Sequence, residues 1–209
     1  DEPETPATPV VMIPDAFANN VGQSGEIFTV AHPYFSMPDG HLAKIRKETE
    51  RSKLYAPYHR DPESKVMISD FADPKDLVKN VESARVISKE LKMKIKIRPH
   101  INEDGVKNPE YLINEKLADL KNIQGLGGIK NGLDSSRKQQ CEFTAFNLDA
   151  FESIKPEMVQ NKLNGIYKLY GDKFSGQQMI FIYSGKAVKV SWKDVKTGKV
   201  TELLKELQE

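Results

Sequence analysis

Two acids and a lysine, Glu110, Asp119 and Lys121, sit in the stretch PEYLINEKLADLK (residues 109–121). With Asn114-Glu115 as a two-residue turn, Ile113 pairs with Lys116, Leu112 with Leu117, Tyr111 with Ala118 and Glu110 with Asp119. Side chains alternate along a strand. Tyr111, Ile113, Ala118 and Leu120 therefore share a mostly apolar face, and Glu110, Leu112, Leu117, Asp119 and Lys121 share the other. Opposed residues have Cβ atoms about 4.5–5.5 Å apart, and like charges so placed are destabilising. A compensating cation is expected. A divalent ion such as Mg2+ or Mn2+ takes oxygen ligands, keeps several waters and suits two carboxylates. Lys121 beside it would hold a phosphate or orient an attacking water. The alternative is a solvent-facing strand with a salt bridge from Glu110 or Asp119 to Lys121. The register depends on the turn, because Glu115 must take a positive φ where glycine is preferred.

A second set of candidates surrounds this hairpin. Met93, Ile95 and Ile97 alternate with Lys94, Lys96 and Arg98, and His100 continues the polar row. This row reads as a phosphate-facing strand. Its His100, with an unperturbed pKa near neutrality, is the general acid or base of a metal-free alternative, or else an ordinary loop histidine. Lys130, Arg137 and Lys138 on the following helix would contact backbone phosphates without reading bases. Gly125–Gly128 before that helix lacks the Lys-Ser/Thr ending of a phosphate loop and reads as a flexible connection. Cys141 is the single cysteine, so an internal disulfide and a cysteine-based zinc site are excluded; it reads as a small core residue. His32, His41 and His59 show no metal-ligand spacing.

The elements that must carry these residues follow from the periodicity. Val66–Ile68 is a short apolar strand. Asp73-Pro74 caps a helix running to about Leu91, with Leu77, Val81, Ala84, Ile87 or Ser88, and Leu91 on its buried face. Strands at 93–98, 110–113 and 116–121 come next, then a helix over 129–140, a strand at 142–148 and a helix over 156–169. Strands 179–183 and 187–192, joined at Ser184-Gly185-Lys186, precede a short helix at 201–207. Upstream, His41–Ser52 has helical character and the stretch around Ala56-Pro57 reads as loop. Residues 1–24, rich in Pro, Ala and acid, read as a flexible arm or linker, and 25–209 as one domain with its core at about 66–192.

Charge is uneven. Residues 1–40 carry six acids and no Lys or Arg, whereas 75–140 carry fourteen Lys/Arg against nine Asp/Glu. The basic middle suits a phosphate-bearing ligand, although a solvated surface has the same composition. No apolar run approaches the roughly 18 residues of a membrane span, so the chain reads as a soluble domain. It opens at Asp1 without Met or signal-peptide pattern, which reads as a boundary with room upstream for a signal peptide or carrier domain.

The order helix, three strands, helix, strand (αβββαβ) is that of the restriction-endonuclease-like superfamily, an α+β fold on a mixed sheet. Pro109-Glu110 and Asp119-Leu120-Lys121 resemble its PD-(D/E)xK motif, with Glu in place of the first Asp. NPEYLINEKLADLKN (108–122), KNGLDSSRKQQ (130–140), FTAFNLD (143–149) and IFIYSGKAVKVSW (180–192) are similar to two families. One is the C-terminal nuclease domains of contact-dependent inhibition toxins. The other is the nuclease-like domains of Mu F-type phage head-morphogenesis proteins. The resemblance covers the last two-thirds of the chain. It implies an endonuclease acting on RNA (tRNA first) or DNA, with Glu110, Asp119 and Lys121 catalytic, Glu110 and Asp119 holding the metal, and an immunity protein or phage particle as partner. It adds Glu82 as a further acid and Gln140 as the residue orienting the lysine, each with a surface role as the alternative. Some phage-associated relatives are barnase-like and metal-free. A non-catalytic descendant, acting as a binding or structural domain of a larger particle or surface protein, is the other class of reading.

Overall fold

The computed structural model describes residues 39–208. The expectations for the arm at 1–24 and for His32 lie outside the described residues. The chain falls into two units, Asp1–Glu48 and Thr49–Glu209, and of the first only the leading part of helix α1 (Asp39–Ser52) is described.

In the second unit, eight strands form one sheet whose spatial order is the chain order: β1 (Tyr58–Arg60), β2 (Met67–Ser69), β3 (Ile95–Ile97), β4 (Tyr111–Ile113), β5 (Lys116–Asn122), β6 (Phe143–Asn147), β7 (Gln178–Tyr183) and β8 (Lys186–Val190). Three neighbouring pairs, β2/β3, β5/β6 and β6/β7, are parallel. A parallel pair needs a long crossover, and helices α2 (Leu77–Leu91), α3 (Gly127–Lys138) and α4 (Pro156–Tyr170) supply the three. The expected αβββαβ core is thus α2-β3-β4-β5-α3-β6, on a mixed sheet.

Each face of the sheet has its own core. Helix α2 lays Val81, Ala84 and Ile87 over Ile95, Ile97, Tyr111, Ile113, Ala118 and Leu120. On the opposite face, α3, α4, α5 (Trp192–Lys196) and α6 (Val200–Lys205) cover Phe146, Met179, Phe181, Val188 and Val190. That core runs past Trp192 to Val195, Val200, Leu204 and Leu207, beyond the end at 192 read from the sequence.

The hairpin register is the expected one: Tyr111 pairs with Ala118, Leu112 with Leu117 and Ile113 with Lys116. Asn114 and Glu115 take φ of 48° and 65°, the double positive φ of a type I′ turn. Four other details depart from the sequence reading. Helix α2 starts at Leu77 rather than Pro74, because Asp73 Oδ1 accepts from Lys75 N (3.0 Å) and closes a separate turn. Trp192 opens α5 instead of ending a strand, since Ser191 and Asp194 form a reciprocal capping box. Residues 58–60, read as loop, form β1. The connection after β1 is tied to α2 by buried Asp61, which meets Arg85 at 2.7 Å. The turn between β7 and β8 is Ser184-Gly185 alone, with φ of 50° and 78°.

Candidate active site

One line of side chains crosses the sheet at right angles to the strands. Asp119 is in register with Thr144, Thr144 with Met179 and Met179 with Val190. In the other direction Tyr111 pairs with Ala118, which brings Glu110 opposite Asp119, and Arg98 N donates to Glu110 O (2.9 Å). The row reads Arg98, Glu110, Asp119, Thr144, then apolar. It lies on the face that carries α3, at the edge of the part that the described helices cover.

Asp119 is 1 % exposed and its Oδ2 receives three donors: Lys121 Nζ at 2.7 Å, Gln139 Nε2 at 2.9 Å and Ser136 Oγ at 3.1 Å. Buried carboxylates are tolerated only with such compensation. Glu110 stands against it differently. Its Oε2 accepts from Leu120 N (2.8 Å), a β5 amide beyond the last paired residue of β4. Among the described residues it forms no salt bridge. Burial, then a hydrogen bond shared with the Asp119 carboxylate, pushes the Glu110 carboxyl up to about 8. Two carboxylates so placed repel, and a proton on the pair relieves that repulsion.

Helix α3 can reach this row because residue 132 is glycine. A Cβ there would lie 2.6 Å from Phe146 Cε1 and 3.1 Å from Lys121 Cγ. The close approach sets Lys121 against Asp119 and brings Ser136 and Gln139 down onto the carboxylate. Lys121 keeps 27 % of its side chain exposed, so the ammonium faces both Asp119 and solvent.

The remaining candidates divide. Arg98 is half-buried, donates from Nη1 to Pro109 O (2.9 Å) and has its pKa lowered by burial, with Glu110 among the groups acting against that. Arg98, His100 and Glu110 line one cavity of about 150 Å³ together with Asp73, Asp76 and Asn80. His100 Nδ1 is 3.6 Å from Asp73 Oδ2, so its charged partner there is Asp73. Glu82 is exposed on α2 and lines a different cavity, with Asn122 and Asn147. Gln140 is exposed at φ 58°, past the helix end, and the amide at Asp119 is that of its neighbour Gln139. Lys130 pairs with Asp134 (2.6 Å) and sits over the Tyr170 ring on the α4 side of α3. At 100° per residue Arg137 shares that flank, away from Ser135 and Gln139. Lys138 and Lys94 are exposed, and Lys96 pairs with Glu115 at 2.7 Å. Burial, and next the field of Asp119 and Glu110, pushes the Cys141 thiol up to about 12, so it is a buried apolar neighbour of the site. His59, exposed on β1, meets Asp70 at 2.7 Å.

Sequence reasoning missed Ser136 and Gln139. The signal was present in the phase of α3: Ile129, Gly132, Leu133 and Ser136 recur on the sheet-facing side, and Gln139 is the next residue in that series.

The donor set suits a hard divalent ion. Among the described residues no third His, Cys, Asp or Glu joins the two carboxylates. Mg2+ is ordinarily bound through one or two carboxylates with waters completing the shell. All three Asp119 donors fall on Oδ2, and the amide donor of Glu110 falls on Oε2.

No protein-family model and no curated protein sequence matches the chain. Among solved structures, a chain of the CdiA-CT/CdiI toxin and immunity complex from Burkholderia pseudomallei is similar, with 16 % sequence identity and a TM-score of 0.42, covering 65 % of this chain and 96 % of that one. A likeness so distant speaks for neither chemistry nor partner. No described helix is long and apolar enough to cross a membrane.

Proposed function

We propose that this chain is an endonuclease-type domain that hydrolyses phosphodiester bonds, RNA and tRNA before DNA, with a divalent ion held by Glu110 and Asp119. The observation that carries the reading is the second carboxylate. A structural ion pair needs Asp119 and Lys121 alone, yet Glu110 is set against Asp119 with no salt bridge among the described residues, and burial beside that carboxylate raises its pKa. Groups held at such a cost are characteristic of sites that wait for a ligand. An ion bound there supplies Lewis acidity at a phosphate oxygen and a more acidic water. The chain's own groups do the rest. Glu110, once deprotonated, and Asp119 would hold the ion, Asp119 is oriented by Ser136 and Gln139, and Lys121 would offer its exposed side to charge building on the phosphate oxygens.

The resemblance of residues 67–149, with the hairpin at 180–192, to toxin nuclease domains supports a toxin-type effector, with an immunity protein as counterpart and a phage-associated domain as the alternative. A non-catalytic descendant is the second reading, favoured by the Lys121–Asp119 contact of 2.7 Å, which closes the cluster on itself. The test is cleavage of tRNA, total RNA and DNA in Mg2+, Mn2+ and EDTA. Cleavage that needs the ion supports the proposal. Cleavage that survives EDTA and is lost with His100→Ala replaces it by a metal-free ribonuclease. No cleavage under any condition leaves the non-catalytic reading.

A further inference from the structure

The sheet face that carries the carboxylate pair is covered by described helices only from β5 onward. Beside the polar row, on the same face, runs a second row whose register is fixed at every step: Arg60 pairs with Met67, Met67 with Lys96, Lys96 with Leu112 and Leu112 with Leu117. Along it run a cation, an apolar side chain, a second cation and two apolar side chains. Arg60 is exposed, and Met67, Lys96, Leu112 and Leu117 are half-buried. Tyr58, two residues before Arg60 and so on the same face, is half-buried with Lys96 Nζ 5.8 Å from its ring centroid. Burial pushes its phenol up, with Arg98 and Lys96 acting in the opposite direction.

A solvated strand face would be polar throughout, and a protein core would carry no cations. Interspersed cations and apolar side chains on a sheet face that no described helix covers suit a ligand that itself alternates charge and flat apolar surface. An unpaired nucleic-acid strand is such a ligand, because its phosphates follow a basic track while its bases stack on aromatic and apolar groups. In a duplex the bases are stacked on one another and cannot use Tyr58, Leu112 or Leu117. We propose that this face, which no described helix covers, binds a single-stranded stretch of the substrate, with one base stacked on Tyr58 and Lys96 against a neighbouring phosphate. Tyr58 lies three strand spacings from Glu110, about 14 Å at about 4.8 Å per strand, so the stacked base is a few nucleotides from the bond to be cut. The inference rests on the phosphodiester reading of the neighbouring site, and names the substrate as unpaired.

The experiment measures fluorescence anisotropy of a labelled, unstructured single-stranded RNA and of the matching duplex. It uses the full chain in EDTA, with Asp119→Asn as a second uncleaving form. The single strand should bind more tightly than the duplex. Tyr58→Ala should weaken single-strand binding about 5- to 150-fold, while Tyr58→Phe, which keeps the ring, leaves it nearly unchanged. Lys96→Ala should lower the slope of log K against log salt by about 0.7. Melting temperatures check that each variant folds, and the Lys96 slope tests the surface independently of Tyr58. Equal affinity for the duplex, or binding indifferent to Tyr58→Ala and Lys96→Ala, overturns the proposal, as does no binding at all, which would leave the face to a protein partner. Binding as expected without cleavage would sink the hydrolase reading and leave this one standing. Cleavage whose kcat/KM ignores Tyr58→Ala would sink this one alone.

Discussion

Glu110 and Asp119 face one another from adjacent antiparallel strands, and burial together with the Asp119 carboxylate raises the Glu110 carboxyl above its ordinary value. Asp119 Oδ2 takes donors from Lys121, Ser136 and Gln139, whereas Glu110 forms no salt bridge among the described residues.

Cation binding should therefore release a proton. Mn2+ affinity measured by calorimetry should tighten by about tenfold per pH unit up to about pH 8 and level off above it. A dissociation constant independent of pH would place the ion elsewhere.

The same proton governs stability. Glu110 titrates above its ordinary value of 4.5 when folded, so the native chain holds a proton that the unfolded chain gives up. The associated stability is complete below about pH 4.5 and is lost as pH rises through about 8. Urea midpoints of the wild type should fall between about pH 5 and about pH 9. Glu110→Gln, neutral at both, should fall less and exceed the wild type at the upper end. Parallel curves would show that Glu110 is ionised in the native state.

Asp119→Ala should abolish cleavage and most metal binding. Lys121→Ala should lower cleavage by about 10²–10³-fold and leave metal binding in place, since lysine is no ligand. His100→Ala should be mild by comparison. Loss of metal binding in Lys121→Ala, with the fold intact by circular dichroism, would contradict these roles.

Gln139 and Gln140 are neighbours with opposite expectations. Gln139→Ala removes a donor from buried Asp119 and should cost about 1–3 kcal/mol of stability together with activity. Gln140→Gly relieves a residue at φ 58° and should leave cleavage unchanged and the melting temperature equal or higher. Equal effects on activity would mean that the amide at Asp119 does not position it.

Gly132→Ala tests the approach of α3. The new methyl group meets the Phe146 ring and the Lys121 stem, neither with free room, and should destabilise by about 1–3 kcal/mol. Cleavage should fall at temperatures where the variant is still folded, because Lys121 is displaced. Full activity would show that the lysine tolerates the shift.

The sequence was most legible where periodicity and pairing reinforce each other. The strict alternation of 93–98 and the Asn114-Glu115 turn set the register, and the register set Glu110 opposite Asp119. What strand alternation cannot state is depth. Asp119 reads as a cleft-facing acid, whereas α3 covers it almost wholly, because Gly132 allows an approach that a propensity reading counts as a weakness in a helix. Gln140 and Gln139 were exchanged for a similar reason, since the helix ends one residue before the choice and helix ends are where sequence patterns blur. Strand β1 was hidden by its shortness and by Pro57 and Pro62 on either side, and it is fixed by pairing to β2 rather than by its own composition.

Sheet order that follows chain order has a kinetic consequence. Arg98, Glu110, Asp119, Lys121, Ser136 and Gln139 all come from one continuous segment, and each strand of that segment pairs with the strand next to it in sequence. Loop closure for such contacts costs little entropy, and proteins rich in them fold fast. The β4–β5 hairpin and the α3 crossover can therefore form early, and the acid pair would be assembled before the long-range packing of α2 against β8 completes the fold. Mutations in the hairpin should then slow refolding, whereas those at the α2–β8 contact should chiefly speed unfolding.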